Sequence, residues 1–425
     1  MTSQGPVEQR GALQLMAVPG LAHVAPERWD AMCPADSPFL EHRFLHGLER
    51  TGTVGRASGW IPLHLLVVDD FDPAIRAEGT PLPASVRIHG AAPSYVKTNS
   101  YGEFIFDFRW AEVFHNCGKR YYPKLVVATP FTPVTGARLL VAPDTPAPDE
   151  IRAMLSEGLI GLARQIGASS VHWLFTEESE AKALSAHGYA HRYSHQNQWH
   201  DEGFGDFEGF LASMRSRARK QIRRERRKAT SHGLTLHVLR GTEMDDDAWA
   251  AIARLYRKGC ARFGSHGYLT DAFFEWIRAK LPENVVCSLA RRPDVTGPEA
   301  WVAGTLNFQK GDRLYGRYWG CDEEFDHLHF ELAFYQLIET CLQRGWTHFE
   351  AGAGGDHKVK RGLRPVLCHS AHWIADTELG PAISDWVAME RDHVAAWLAE
   401  LQQHGTARRA HEPGLNAELK SPLRS

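Results

Sequence analysis

The chain is 425 residues long, 43% apolar and 10% aromatic, with a formal net charge of −3. The length suits two domains or one unusually large one, the apolar content excludes a disordered chain, and the near-neutral balance excludes a bulk nucleic-acid coat, so any polyanion contact must be confined to one patch. Seven cysteines (33, 117, 260, 287, 321, 341 and 368) form no CxxC pair, which argues against a disulfide framework or a cysteine zinc site and fits a reducing cytosol.

No apolar run approaches the ~18 residues of a membrane span, and residues 1–10 lack the apolar core of a signal peptide. A cytoplasmic protein is expected. Residues 1–11 read as a frayed end. A helix is predicted over 38–50 and a strand over 63–68. Residues 69–83 are polar and proline-rich, a loop or insertion. Residues 96–108 mix aromatic and β-branched types around a Tyr101-Gly102-Glu103 turn. Strands are predicted at 124–128 and 138–141. An amphipathic helix over 149–167 opens after Pro148 and closes at Gly167. A strand at 171–175, a short helix at 179–187 and an alternating strand at 191–199 complete the first half.

The second half opens on the strongest charge feature. Residues 214–228 contain nine Lys/Arg and one acid, Glu225. Phe207, Phe210, Leu211, Met214, Ala218 and Ile222 recur at steps of three and four, so one basic helix with a single apolar stripe is predicted over 206–231. Gly233 suits its C-cap, and a strand over 234–239 follows. Helices are predicted at 245–263, 270–280 and 329–344, and strands at 285–291, 300–309, 313–319, 348–351 and 369–374. A boundary near 201–206 gives an N-terminal domain at 12–203, a C-terminal domain at 204–400 and a flexible tail at 401–425.

Three constellations could carry chemistry. Residues 349–362 form a strand end, a loop with four glycines, and the cluster His357, Lys358, Lys360 and Arg361. Such a loop lets backbone N–H groups approach a ligand while cations complement an anion or developing oxyanion. It is neither a Walker loop nor a dinucleotide fingerprint. The plain alternative is a surface turn. Secondly, Tyr101, Glu103, Tyr122 and Lys124, with Thr132 in a rigid Pro-flanked loop, resemble pocket walls, against the alternative of packed tyrosines. Tyr318 and Arg317 end a strand. His329 and Glu331 open the next helix as general-base candidates, with Tyr318 as acid. His327 and His329 lack a third ligand at metal spacing, so no metal site is expected.

The run 211–226 followed by His232-Gly233-Leu234-Thr235-Leu236 resembles the basic helix and strand that open the C-terminal domain of Fem-type peptidyltransferases. SYGEFIFDFRWAE, YYPKL, PFTPVTGARLL, GRYWG, LHFELAFYQLIE and FEAGAGGDHKVKRG are similar to a bacterial family of N-acyltransferases, or peptidoglycan biosynthesis/recognition proteins. The likeness covers residues 37–373. It implies an α/β fold of two tandem GNAT-like (acyl-CoA N-acyltransferase-like) domains, each a mixed, mostly antiparallel sheet flanked by helices. It also implies acyl or aminoacyl transfer to an amine, such as a cell-wall precursor, with acyl-CoA or aminoacyl-tRNA as co-substrate and no tightly bound cofactor.

On that reading Lys358, with Arg361, stabilises the carbonyl oxygen or binds the donor. Glu331 or His329 is the base and Tyr318 the acid. Tyr101, Glu103, Tyr122, Lys124, Thr132, Arg317, Glu350 and His357 contact substrate. Arg217, Lys220, Arg223, Arg224 and Arg227 contact phosphates, with tRNA a candidate partner. The segment after Gly320, Asp322-Glu323-Glu324-Phe325-Asp326, is acidic where CoA enzymes of this fold hold a pyrophosphate, which argues against CoA there. A loop at 352–355 is the alternative CoA site. The competing class is a non-catalytic protein that binds a cell-wall precursor or RNA through the basic helix.

Overall fold

A computed structural model describes residues 12–69, 81–262 and 267–404. The end at 1–11, most of the 69–83 loop and the tail from 405 lie outside the described residues. In chain order the elements begin with β1 (Gln14–Val18), α1 (Pro26–Asp30), α2 (His42–Arg50), β2 (Trp60–Pro62), β3 (His64–Val68), β4 (Ile88–Ala92) and β5 (Ser94–Lys97). There follow α3 (Phe108–Asn116), β6 (Lys124–Val127), β7 (Leu140–Val141), α4 (Pro148–Ile166), β8 (Ser170–Thr176), α5 (Glu178–Ala186) and β9 (Ala190–His200). The basic region supplies α6 (Phe207–Ala212) and α7 (Ser216–Thr230), leading to β10 (Thr235–Arg240), α8 (Asp246–Arg262), α9 (Asp271–Lys280), β11 (Val285–Arg291), β12 (Trp301–Lys310) and β13 (Arg313–Cys321). Next, α10 (Leu328–Phe330) runs through a π-turn (Glu331–Tyr335) into α11 (Gln336–Arg344). The chain ends with β14 (His348–Glu350), a 3-10 turn (Asp356–Arg361), β15 (Arg364–Ile374) and α12 (Leu379–His404). None of these helices is long and apolar enough to cross a membrane.

Contacts divide the described residues into two compact units, one made of those up to Arg192 with His369–Ala388, the other of those in Tyr193–Cys368 with those from Met389 on. The sequence suggested contiguous domains meeting near residue 203. Instead, each unit takes a strand from the other half of the sequence. In unit one β15 pairs antiparallel with β8, His369 opposite Thr176 through Ile374 opposite Ser170. In unit two β9 pairs antiparallel with β14, Phe349 opposite Trp199.

Unit one contains an antiparallel sheet β1-β3-β4-β7 and the strand series β15-β8-β6-β5-β2, in which the β6–β8 pair is parallel. Unit two has the series β10-β11-β12-β13-β14-β9, with β13–β14 parallel and the other pairs antiparallel. Each is thus a mixed, mostly antiparallel sheet flanked by helices, as the resemblance implied. The parallel pair in each unit encloses a helical crossover: α4 in unit one, and α10 through α11 in unit two. Leu155, Leu159 and Ala163 of α4 pack on Leu125, Val171 and Trp173. Leu337, Ile338 and Cys341 of α11 pack on Leu314, Phe349 and Trp199.

Local signals explain the ends. Pro148 opens α4 with Asp149 and Glu150 in its first turn, and Gly167 closes it in the left-handed conformation. Thr270 caps α9 through its hydroxyl to the Phe273 N–H at 3.2 Å.

The single basic helix expected over 206–231 is two helices. Asp206 caps α6 through the Gly209 N–H at 2.7 Å. Ser213 Oγ then folds back to the Phe210 carbonyl at 2.7 Å, and Arg215 is extended (φ −62°, ψ 144°). Phe207, Phe210 and Leu211 share a core with Ile222 despite the break. The helix read over 329–344 is likewise interrupted, by the π-turn. Several elements escaped the sequence reading, among them the short β1, α1, β2 and β4 of the first half. α3 hides in an aromatic-rich stretch of mixed period, and α12 begins with Gly380-Pro381, helix breakers that cost little in a first turn.

Candidate functional site

Unit two is built so that β13 and β14 part. Their pairing extends only from Arg313 opposite His348 to Tyr315 opposite Glu350. On the other side of β13, Tyr318 faces Leu306 and Gly316 faces Asn307, so Arg317 is an extra, bulged residue. Beyond Glu350, Gly352 takes a positive φ of 77° and the chain turns away. β13 is held from behind by α8 at backbone contact: a Cβ on Gly320 would lie 1.8 Å from the Leu255 carbonyl oxygen, and one on Gly259 would lie 2.2 Å from that of Trp319. The parted strands therefore enclose a cleft rather than collapsing together.

The cleft has a volume of about 260 Å³ and lies among Gly316–Trp319, the 351–358 loop, His329 and Phe334. Lys358 lies in its wall and is buried. Its Nζ donates to the carbonyl oxygens of Gly352 at 2.7 Å and Ala353 at 3.3 Å. No described carboxylate forms an ion pair with it, and desolvation lowers it from 10.5 to about 7. Burial, with the charges of His357, Lys358 and Arg361, lowers His329 to about 4, so this ring is neutral near pH 7. Burial raises Tyr318 to about 12, leaving its hydroxyl protonated. Tyr318 meets Tyr256 edge-on at 4.8 Å, and Arg317 lies 5.4 Å from the Tyr318 ring. Trp319 and His329 are 4.9 Å apart, His329 and His357 6.2 Å.

Of the residues singled out from sequence, Arg317, Tyr318, His329, His357 and Lys358 thus converge on one cleft. Arg361 does not line it. Its guanidinium grips Glu225, with Nη2 to Oε1 at 2.8 Å and Nε to Oε2 at 3.1 Å, while Nη1 donates to the His357 carbonyl at 2.8 Å. Tyr335 also donates to Glu225. The only acid of the basic segment therefore braces the turn that presents Lys358. Glu331 is buried under Arg226, which reaches it through Nε and Nη2 at 3.0–3.2 Å, and it is not in the cleft wall. Burial raises its pKa despite that pairing. Glu350 is buried at the end of β14, is not among the residues lining the cleft, and acts electrostatically on Arg317.

The basic helix α7 has two faces. Ile222, Glu225 and Ala229 point inward. Arg217, Lys220, Arg224 and Arg227, at steps of three and four, are exposed and take no ion pair among the described residues. Arg223 is also exposed and pairs with Glu208 at 2.5 Å. The acidic segment after β13 is neutralised in place. Asp322 meets Arg254 and Lys258, Glu323 meets Arg292, Glu324 meets Arg262, and Asp326 meets Lys228 at 3.9 Å.

The tyrosine and lysine constellation of unit one is a buried ionic cluster. Lys124 is fully buried and donates to Glu103 Oε2 at 2.8 Å, to Ser100 Oγ at 2.9 Å and to Asp107. Asp107 also accepts from Tyr121 and Ser100, and Tyr122 lies 2.8 Å from Ser100 Oγ. Burial raises Glu103 to about 7 and lowers Lys97 to about 7, while Lys124 holds Asp107 well below the usual carboxylate range against its own desolvation. Lys97 sits 4.1 Å from the centre of the Trp60 ring. Beside Tyr121, His172 and His372 approach Nδ1 to Nδ1 at 2.6 Å, so one ring donates to the other.

Glu103 and Lys124 are therefore enclosed. Tyr101 instead projects from the loop, 59% exposed, while its carbonyl ties down Trp60 and Lys97. Thr132 bonds locally to the Pro130 carbonyl at 3.0 Å. Sequence reasoning missed Asp107, Lys97 and His172, whose signal was faint: charged or polar residues set singly between aromatic and aliphatic neighbours. In unit two it missed the bracing role of Glu225.

No curated protein sequence matches the chain. Among solved structures it is similar to FemX, at 14% identity over 87% of this chain and 100% of that one, with a TM-score of 0.49. It is similar to L-PGS from Bacillus licheniformis at 12% identity, covering 86% and 97% of the two chains, with a TM-score of 0.45. A tandem GNAT protein from the clavulanic acid biosynthesis pathway gives 13% identity, 86% and 100% coverage, and a TM-score of 0.41. The FemAB_like family, described as peptidoglycan biosynthesis/recognition, matches residues 20–409, and the chain belongs to that family.

Proposed function

We propose that the protein is an N-acyltransferase that moves an acyl or aminoacyl group from an activated ester or thioester to an amine, in keeping with a cell-wall precursor as acceptor. The observation that carries this reading is Lys358, a buried ammonium in an open cleft with only carbonyl partners. A lysine has three N–H donors and two are used, so one remains for a ligand oxygen. The amine nitrogen attacks the acyl carbon, and the carbonyl oxygen, becoming negative, accepts that hydrogen bond. The new C–N bond makes the nitrogen acidic, and neutral His329 takes its proton. As the C–O or C–S bond to the carrier breaks, the Tyr318 hydroxyl protonates the leaving atom. Holding both substrates in the cleft supplies the remainder by proximity.

The test is amide formation, followed by mass spectrometry, from acyl-CoA or aminoacyl-tRNA and an amine-bearing cell-wall precursor. Lys358→Met is expected to lower the rate roughly 100-fold with the fold retained. Unchanged turnover would remove Lys358 from the mechanism.

A second reading is favoured by the exposed stripe of Arg217, Lys220, Arg224 and Arg227. There the protein binds a polyanion, a cell-wall precursor or RNA, without turnover. It calls for affinity that falls with salt, with a log–log slope of about −0.7 to −0.9 per phosphate contact. Charge reversal on the stripe would then abolish the activity while Lys358→Met left it intact.

A further inference from the structure

We propose that the cleft of unit two accepts acyl groups without an α-ammonium, either uncharged or carboxylate-bearing, and discriminates against aminoacyl groups. The inference rests on the acyl-transfer reading above and names the donor class within it. Two cationic side chains, Arg317 and Lys358, lie in the wall of the cleft, and no carboxylate is among the described side chains that line it. Glu350, directly before the lining Ala351, is buried, is not itself a lining residue, and already acts on Arg317. The imidazole of His329 adds a neutral ring rather than an anion.

An aminoacyl ester carries its positive charge on the α-amino nitrogen, two bonds from the reacting carbonyl carbon. Placing that carbonyl on Lys358 would bring the ammonium beside a cation in a desolvated site. A cation–π contact with Trp319 is the compensation on offer there, and it is weaker than the repulsion of two like charges at this separation. An acyl group lacking the ammonium meets no such cost. Its carbonyl takes the free Lys358 N–H, its chain lies against Trp319, Ala333 and Phe334, and a terminal carboxylate would face Arg317. Exclusion by repulsion is how a small site separates ligands that differ by one group.

The experiment compares two thioesters that differ only at this position, S-propionyl-N-acetylcysteamine and S-alanyl-N-acetylcysteamine. Their dissociation constants are measured by ligand-observed NMR on the full chain, below the Lys358 value of about 7. The propionyl compound is expected to bind roughly tenfold tighter or more. Lys358→Met should narrow that ratio, and so should Arg317→Met, which provides a second variant if the first fails to fold. Equal or tighter binding of the alanyl compound, or a ratio indifferent to both substitutions, overturns the donor-class inference and leaves the cleft an acyl site. Failure of both thioesters to bind overturns the acyl-transfer reading of this cleft, and the inference with it.

Discussion

Single buried charges set the chemistry, and their cost shows how the protein uses them. Lys358 is lowered by burial from 10.5 to about 7. Between those values the unfolded chain binds a proton that the folded chain has released. The burial therefore opposes folding fully below pH 7, and the opposition fades as pH rises through that window. Lys358→Met is expected to be more stable than wild type in acid and to converge with it toward the upper end of the window, as read by urea midpoints across pH. A difference independent of pH would mean that the ammonium is not desolvated. Lys124 behaves oppositely because it has partners. Removing it strands Asp107 and Glu103 in the core, so Lys124→Met should cost about 3–5 kcal/mol in chemical denaturation. Adding Asp107→Asn and Glu103→Gln should recover part of that loss, because both partners are then neutral.

At the scale of elements, glycines decide where helices may approach strands. Gly320 and Gly259 let α8 lie on β13 at backbone distance, which keeps the cleft open on its far side. Gly320→Ala places a Cβ 1.8 Å from the Leu255 carbonyl oxygen. It should lower stability by about 1–3 kcal/mol and weaken ligand binding in the cleft as β13 shifts. Gly161 in α4 is a built-in comparison, since a Cβ there meets nothing within 4 Å. Gly161→Ala is expected to stabilise by about 0.5–1 kcal/mol through helix propensity alone, and thermal melts of both variants decide the pair. The basic region shows the same division. Its charge pattern was legible from sequence, but its break at residues 213–215 depended on Ser213 bonding back to Phe210, which competes with a helix only when the surrounding packing rewards it.

At the scale of the molecule, each unit borrows a strand from the other half of the chain. A fragment ending at residue 203 lacks β15, so β8, buried along its whole length, loses its antiparallel neighbour. Such a fragment is expected to show no cooperative thermal transition by circular dichroism, and addition of a peptide covering 364–388 should restore one. A fragment that melts cooperatively by itself would mean that β15 is dispensable. Most individual strands and helices were readable because their periodicity is local. The exchange was not, because strand pairing joins residues some 150 to 200 positions apart and leaves no mark on either segment.

The sequence by itself determined the α/β class, most element positions, the basic helix face and the glycine-rich loop bearing Lys358. These follow from local propensity, hydrophobic period and residue chemistry, which act over a few residues. Only the tertiary structure decided which charges meet. It placed Lys358 with Arg317, Tyr318 and His329 in one cleft, turned Arg361 to Glu225 and Glu331 to Arg226, and sealed Lys124 in the core. A side chain's role depends on its desolvation and its partners, and both are fixed by contacts distant in sequence.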